Sequence, residues 1–178
     1  IFPMNSINFC LKEANIEIAD LTTITINSNP FSSLTRKIIY TLKNLKRLGL
    51  AFKSINNIQK KLSIRKNIFN INSNKPFNGN IEYVDHHESH IASSLYFSQF
   101  EESVNLSIDG FGDFASCAWG IFKNDKLKID NRIYFPHSMG IFYQAITQFL
   151  GFKNYGDEYK VMGLSSYGQP NYVKELSK

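Results

Sequence analysis

The chain has 178 residues, of which 43% are hydrophobic, and it carries a formal net charge of +5. This length and composition suffice for one sizeable core and exclude a fibrous or wholly disordered chain, so we expect one domain, or one domain with part of a neighbour. No window reaches the apolar length that spans a bilayer, and the first residues lack the basic start and apolar core of a secretion signal, which predicts a cytoplasmic protein.

The first predicted elements are a helix and a strand. Apolar residues at helical spacing predict a short amphipathic helix over residues 6–14, capped by Asn5 or Ser6. Residues 19–26 have the β-branched composition of a strand. The chain contains only two cysteines, which indicates free, buried thiols in a reducing compartment.

A strongly basic segment follows. Residues 35–66 contain ten lysines and arginines and no acidic residue, and their apolar residues recur at helical spacing, so we predict one or two basic helices that form an insertion. A nucleic-acid or membrane-surface patch is one interpretation, and a solvated helix face is the other. We favour the solvated face, because no aromatic residues that stack on bases alternate with the basic ones. The asparagine-rich residues 67–80 predict a surface loop.

The next stretch carries residues with metal-binding chemistry. A β-branched run at residues 81–84 predicts a strand, and Asp85 is placed to cap the helix that follows. His86 and His90 are four residues apart, and this spacing puts both imidazoles on one helical face, where they can share a metal ion. Asp109 can then supply an oxygen ligand. Histidines at this spacing also occur as polar groups at the edge of a core, so the spacing alone leaves both interpretations open. The apolar stripe of the helix consists of Ile91, Ala92, Leu95 and Tyr96.

A glycine-rich motif follows a predicted buried strand at residues 104–108. The motif is Asp109-Gly110-Phe111-Gly112-Asp113, and it predicts a turn at the strand end. Glycines in such a turn let a backbone approach a phosphate closely, which makes the motif a candidate phosphate site. An ordinary hairpin with two glycines is the alternative.

Two further strands and a helix complete this pattern. Residues 115–123 and 127–135 alternate as strands, and with residues 104–108 they predict an antiparallel meander. Ser138 is placed to cap a helix that ends at Gly151. This β-β-β-α order, with a turn that approaches phosphate, is what an actin-like nucleotide-binding core requires. The apolar face of the helix consists of Met139, Phe142, Ala145, Ile146, Phe149 and Leu150.

The last informative stretch is residues 156–170. Glu158 and Lys160 are charges at the start of a predicted short helix, and Gly163 is placed for close backbone packing or a turn. Lys160 can neutralise a phosphate, or it can lie at the surface as lysines ordinarily do.

Four motifs in this order resemble the carbamoyltransferase family of nodulation and antibiotic-biosynthesis enzymes, the NodU/CmcH type. The resemblance is specific over residues 83–170 and weaker over residues 2–16. It implies that residues 1–178 form part of an N-terminal actin-like (ASKHA, ribonuclease H-like) α/β domain with a mixed sheet and flanking helices, in which the basic segment falls where the family varies. The motifs are VDHHESHIASSLYFSQF, LSIDGFGDFAS, FPHSMGIFYQAITQFLGF and DEYKVMGLSSYGQP.

The resemblance also implies an activity. In that family carbamoyl phosphate and ATP give carbamoyl-adenylate, and the carbamoyl group passes to a hydroxyl of a small-molecule acceptor. A divalent metal, usually iron, is held by residues that match His86, His90 and Asp109, although this ligand set suits zinc or manganese equally. The candidates near ATP or carbamoyl-adenylate are Gly110, Gly112, Asp113, Glu158, Lys160 and Gly163.

Parts of the family pattern lie outside residues 1–178: the opening strand, a further aspartate ligand, the second half of the actin-like domain and a C-terminal domain. We therefore expect an incomplete carbamoyltransferase that is inactive alone and has the rest of the polypeptide as its partner. We expect no membrane or nucleic-acid partner. Two other functions fit part of the pattern, a non-catalytic actin-like nucleotide-binding module and an enzyme of the tRNA threonylcarbamoyl-adenosine type.

Overall fold

The computed structural model describes residues 2–44, 64, 66–68, 71 and 75–177. Single turns of 3-10 helix occupy Ile18–Asp20 and Ser165–Tyr167. The other described elements, in chain order, are α1 (Met4–Glu13), β1 (Thr23–Ile26), α2 (Leu34–Lys43), β2 (Asn80–Tyr83), α3 (His86–Leu95), β3 (Ser103–Gly112), β4 (Ala115–Lys123), β5 (Lys126–Tyr134), α4 (Met139–Phe149), α5 (Glu158–Leu164) and α6 (Val173–Leu176).

The strands form two sheets of different kinds. Strands β1 and β2 pair in parallel, with Thr23 opposite Asn80 and Ile26 opposite Tyr83. Strands β3, β4 and β5 form an antiparallel sheet in that order, as the sequence predicted. The observed combination of parallel and antiparallel sheets with flanking helices confirms the mixed α/β class, although the described strands form two separate sheets instead of the one mixed sheet that was expected. The actin-like assignment stays a prediction.

Left-handed residues close both hairpins of the meander. Asn124 and Asp125 have φ values of 53° and 57°, as a type I′ turn requires and as these two residue types tolerate. Between β3 and β4, Asp113 and Phe114 take the corresponding positions with φ of 51° and 76°. The predicted turn at residues 109–113 is therefore misplaced, because β3 continues to Gly112 through an irregularity in register.

The N-terminal elements differ from their predicted bounds. Helix α1 begins at Met4 after Pro3, so neither predicted cap residue begins it. The strand expected from residue 19 starts only at Thr23, because the preceding residues form a 3-10 turn in which the Asp20 carboxylate accepts a hydrogen bond from the backbone N–H of Glu17 (2.8 Å). Of the two free cysteines, one is exposed and one is buried, so the expectation of two buried thiols was wrong for Cys10.

Two groups of buried residues support the strands. One group lies around β1 and β2 and consists of Ile18, Ile68, Ile71 and Phe77. The other lies under α3, where Ile91 and Leu95 are buried as predicted, together with Ala118 of β4. The fourth residue of the predicted stripe, Tyr96, is 81% exposed, since it follows the last turn of α3.

Two apolar faces are exposed, one on the strand that was predicted to be buried and one on α4. Residues of β3 alternate in direction, and Ser107 lies on the face toward α3, so Val104, Leu106 and Ile108 point to the opposite face and are more than half exposed. In α4 the buried residue is Thr147, whereas the predicted apolar face is largely exposed. In the part of the chain that the structure describes, no element covers these two faces.

The basic segment is only partly described. Helix α2 confirms a helix at its start, while residues 45–63 and five residues of the predicted loop, 69, 70 and 72–74, lie outside the described residues. The described part of that loop does not lie wholly at the surface as predicted, because Ile68, Ile71 and Phe77 are buried. Among the helices that the structure describes, none is both long and apolar enough to cross a bilayer.

Candidate metal centre

Asp85 fixes the start of α3, directly after β2. Its carboxylate accepts hydrogen bonds from the backbone N–H groups of His87 (3.1 Å) and Glu88 (3.3 Å), which confirms the predicted cap. Ser32 donates its hydroxyl to the other carboxylate oxygen, Oδ2 (2.5 Å), whereas the guanidinium of Arg132 lies 3.4 Å from Oδ1. The helix therefore begins at a defined residue, which sets the positions of the two histidines that follow.

The structure brings the three predicted metal ligands together. The Nε2 atoms of His86 and His90 are 3.1 Å apart. The Oδ2 atom of Asp109 lies 2.7 Å from Nε2 of His86 and 3.4 Å from Nε2 of His90. Two nitrogens bound at about 2.0–2.1 Å to one ion lie roughly 3.0–3.4 Å apart in octahedral or tetrahedral geometry. The distance between the two imidazole nitrogens therefore fits a shared ion, and such an ion would replace the hydrogen bond between Asp109 Oδ2 and His86 Nε2.

Asp109 is held as a carboxylate. The hydrogen bond with His86 keeps the pKa of Asp109 below its ordinary value, against the opposing effect of partial burial. Its other oxygen, Oδ1, accepts the backbone N–H of Gly110 (2.6 Å). Asp109 is thus ionised at neutral pH, as a metal ligand must be, and Oδ2 faces the two histidines.

The start of α4 packs on the backbone of Asp109. A Cβ atom on Gly140 would lie 2.6 Å from the Asp109 carbonyl, so only glycine allows this approach. Ser138 donates its hydroxyl to the carbonyl of Gly110 (2.7 Å) and accepts the backbone N–H of Ile141 (3.1 Å), which confirms it as the cap. No motif in the sequence predicted this packing role of Gly140.

The two glycines of the Asp109–Asp113 motif have different surroundings. A Cβ atom on Gly112 would lie 1.9 Å from Cδ2 of His86 and 2.5 Å from its Nε2, so Gly112 provides the space that the imidazole occupies. A Cβ atom on Gly110 would make only an ordinary contact, 3.6 Å from Cδ1 of Ile141. The backbone N–H of Gly110 is engaged by Asp109. Proximity of these glycines to a phosphate stays a prediction.

Asp113 is buried beside the ligand set. Its carboxylate accepts hydrogen bonds from the hydroxyl of Ser28 (2.7 Å) and from the backbone N–H groups of Asn29 (2.7 Å) and His86 (3.0 Å). The Asp113 carboxylate therefore binds groups of the protein itself, and its predicted position near a nucleotide stays a prediction.

The predicted nucleotide-site residues near the C-terminus, Glu158, Lys160 and Gly163, contact residues other than the metal ligands. Lys160 forms an ion pair with Asp157 (2.6 Å), and this contact lowers the pKa of the Asp157 carboxyl. The backbone carbonyl of Glu158 lies 3.5 Å from the Tyr143 hydroxyl. Gly163 lies inside α5, and a Cβ atom there would meet nothing within 4 Å, so the prediction of close packing or a turn at this residue was wrong. Among the residues described, no hydrogen bond or ion pair joins these candidates to the three ligands.

Sequence reasoning missed two residues that support α3. His87 is fully buried, with Nδ1 2.8 Å from the hydroxyl of Ser107, and its burial lowers the pKa of the imidazole. Arg132 on β5 donates to Glu88 (2.7 Å) as well as approaching Asp85. Ser107 lies within an apolar strand, and this position was a sequence signal for a buried polar partner. The sequence around Arg132 contained no comparable signal.

Comparison with known proteins gives a family match over nearly the whole chain. The family model described as carbamoyltransferase N-terminus matches residues 2–178. This range contains the two histidines and the aspartate described above.

Individual relatives are longer than this chain. It is 32% identical over 181 residues to an uncharacterized protein of Synechocystis sp., covering 97% of the chain and 29% of that protein. It is 30% identical over 176 residues to nodulation protein NolNO of Sinorhizobium fredii (98% of the chain, 24% of the relative) and 40% identical over 95 residues to nodulation protein NolO of Bradyrhizobium diazoefficiens (52% and 17%). The chain spans less than a third of the length of each relative.

Proposed function

Because the chain belongs to the carbamoyltransferase N-terminal family, we propose that it is the metal-binding part of an actin-like O-carbamoyltransferase. The reaction moves a carbamoyl group from carbamoyl-adenylate, made from carbamoyl phosphate and ATP, to a hydroxyl of a small-molecule acceptor. The observation that carries this proposal is the convergence of His86 Nε2, His90 Nε2 and Asp109 Oδ2, whose atoms all lie within 4.8 Å of one another.

The donor set suits a divalent first-row metal. Two imidazole nitrogens and one carboxylate oxygen fit iron, zinc or manganese, and the family resemblance favours iron. When bound, the ion supplies Lewis-acid charge that polarises a carbonyl and offsets negative charge on phosphate oxygens. The chain contributes the fixed positions of the three ligand atoms and the ionised state of Asp109. Three ligands leave coordination positions for substrate or for a ligand from elsewhere in the polypeptide.

The proposed nucleotide site adjoins the metal ligands. Gly110, Gly112 and Asp113 lie next to the metal ligands, so a phosphate bound to the ion would lie near them. Glu158, Lys160 and Gly163 belong to the proposal on the family resemblance alone. Activation of carbamoyl phosphate and choice of acceptor are assigned to polypeptide outside residues 1–178, because the relatives are more than three times as long.

Metal binding by the purified chain tests the proposal. We expect one equivalent of Fe²⁺ or Co²⁺ under anaerobic conditions, measured by titration and elemental analysis. His86→Ala and His90→Ala each remove one ligand and are expected to weaken binding by more than the roughly 10–100-fold that is typical of outer-shell changes. The matched control is His137→Ala, an exposed histidine outside the cluster, which is expected to leave binding unchanged.

Carbamoyl transfer is then measured in the longer polypeptide. Consumption of ATP with carbamoyl phosphate is expected to require metal and both histidines. Full metal content and activity in the His86→Ala and His90→Ala variants would show that the site is assigned wrongly. Nucleotide binding that is unaffected by chelators and by both substitutions would instead support a non-catalytic nucleotide-binding module.

A further inference from the structure

Asp113 joins three parts of the chain at the start of α3. The residue is 7% exposed. Two of its donors, the Ser28 hydroxyl and the Asn29 backbone N–H, belong to the segment between β1 and α2. The third donor is the backbone N–H of His86, the first proposed metal ligand. A buried carboxylate with several N–H and O–H donors forms charge-assisted hydrogen bonds, which are stronger than neutral ones.

The backbone N–H groups at the start of α3 are shared between two carboxylates. A helix leaves its first N–H groups without partners inside the helix. Asp85 accepts those of His87 and Glu88, and Asp113 accepts that of His86. Negative charge at this end of a helix is also favoured by the helix dipole. Asp113 therefore acts on the one residue of this turn that carries a ligand atom.

The same short segment also holds the imidazole ring. Gly112 provides the space that the His86 ring occupies, and the next residue, Asp113, binds the His86 backbone. The ring and the main chain of His86 are thus both positioned by the end of β3. Asp109, which contacts the same ring, lies earlier on the same strand.

We propose that Asp113 is a positioning residue for the metal centre. It acts through the backbone of His86 and links the position of this ligand to the segment that contains Ser28 and Asn29. The inference rests on the proposed metal site, and it gives Asp113 a role other than the phosphate contact suggested by its sequence motif.

Substitution of Asp113 separates hydrogen bonding from charge. Asp113→Gly removes the carboxylate without backbone strain, because the residue has a φ of 51° that glycine adopts freely. Asp113→Asn keeps an amide oxygen for the two backbone N–H groups, and its NH₂ group can donate to the Ser28 hydroxyl. The readouts are the Co²⁺ affinity of the chain and the visible absorption spectrum of bound Co²⁺, which reports coordination geometry.

We expect Asp113→Gly to weaken Co²⁺ binding about 10–100-fold and to change the spectrum, while Asp113→Asn stays close to wild type in both. The matched control is Asp157→Ala, which removes another buried carboxylate, one that accepts the backbone N–H of Asn154 (3.0 Å). This control is expected to lower the unfolding temperature but to leave Co²⁺ affinity and spectrum unchanged. If Asp113→Gly does not fold, Asp113→Ser, whose hydroxyl is too short to reach all three donors, takes its place.

Four results would overturn the positioning role of Asp113. Wild-type affinity and spectrum in Asp113→Gly would overturn the positioning role and leave the metal site intact. An Asp113→Asn variant as impaired as Asp113→Gly would overturn it in favour of a direct effect of charge. An equal spectral change in Asp157→Ala would reduce the effect to general destabilisation. Absence of Co²⁺ binding in the wild type would overturn both this inference and the proposed function.

Discussion

The start of α3 and the C-terminal helices α4–α6 differ in what surrounds their side chains. At the start of α3, buried polar groups such as Asp85 and Asp113 have partners on several elements. In the C-terminal part, large apolar side chains such as Phe149 and Tyr155 are 84% and 96% exposed. The geometry of the candidate metal centre is therefore fixed by contacts within the described residues. The large apolar side chains of the C-terminal part, in contrast, remain exposed among the described residues.

The largest expected difference between the two regions is in core packing. Ile91→Ala removes a side chain that is 1% exposed under α3, and we expect a loss of about 2–5 kcal/mol in the free energy of unfolding. Phe149→Ala changes an exposed side chain of α4 and is expected to stay within about 0.5 kcal/mol. Urea denaturation measures both. A comparable loss in Phe149→Ala would show that this face of α4 is buried in solution.

The second difference concerns the two glycines of the β3 end. Gly112→Ala places a methyl group where the His86 ring lies, so the ring must leave its position and Co²⁺ affinity is expected to fall about 100-fold, or about 2.7 kcal/mol. The matched control is Gly110→Ala, whose methyl group meets only an ordinary contact with Ile141. Titration with Co²⁺ compares the two. Equal affinities in both variants would contradict the packing role of Gly112.

The smallest expected difference is between the two helix caps. Asp85→Ala removes the acceptor of two backbone N–H groups and a partner of Arg132, so we expect a loss near the upper end of the usual range, about 2 kcal/mol. Ser138→Ala removes the acceptor of one backbone N–H group at α4 and is expected to cost about 1 kcal/mol. Thermal unfolding and urea denaturation measure both losses. A larger loss for Ser138→Ala would reverse the comparison.

Features with a local cause were predicted from the sequence. The caps Asp85 and Ser138 need only a side-chain oxygen near the first helical N–H groups. The antiparallel order of β3, β4 and β5 needs only short connections between strands that are neighbours in the chain. The i, i+4 spacing of His86 and His90 follows from helix geometry, so their convergence required no tertiary information.

Features that depend on distant contacts were not predicted. Alternation shows that Val104, Leu106 and Ile108 share one face of β3, but the face that meets α3 is the other one, where Ser107 contacts His87. The role of Asp113 depends on Ser28, which lies 85 residues earlier in the chain. No local pattern of residues contains such a pairing.

The parallel pairing of β1 with β2 affects the order in which the candidate centre is assembled during folding. The meander β3–β5 joins neighbouring segments through short hairpins, whereas Thr23 meets Asn80 only after a long loop has closed, which is entropically costly and slow. Asp109 lies in the meander, while the histidines follow β2. We therefore expect the carboxylate ligand to be placed early and the two imidazoles to join it late, so that metal affinity is acquired in the slow step of folding rather than with the bulk of the secondary structure.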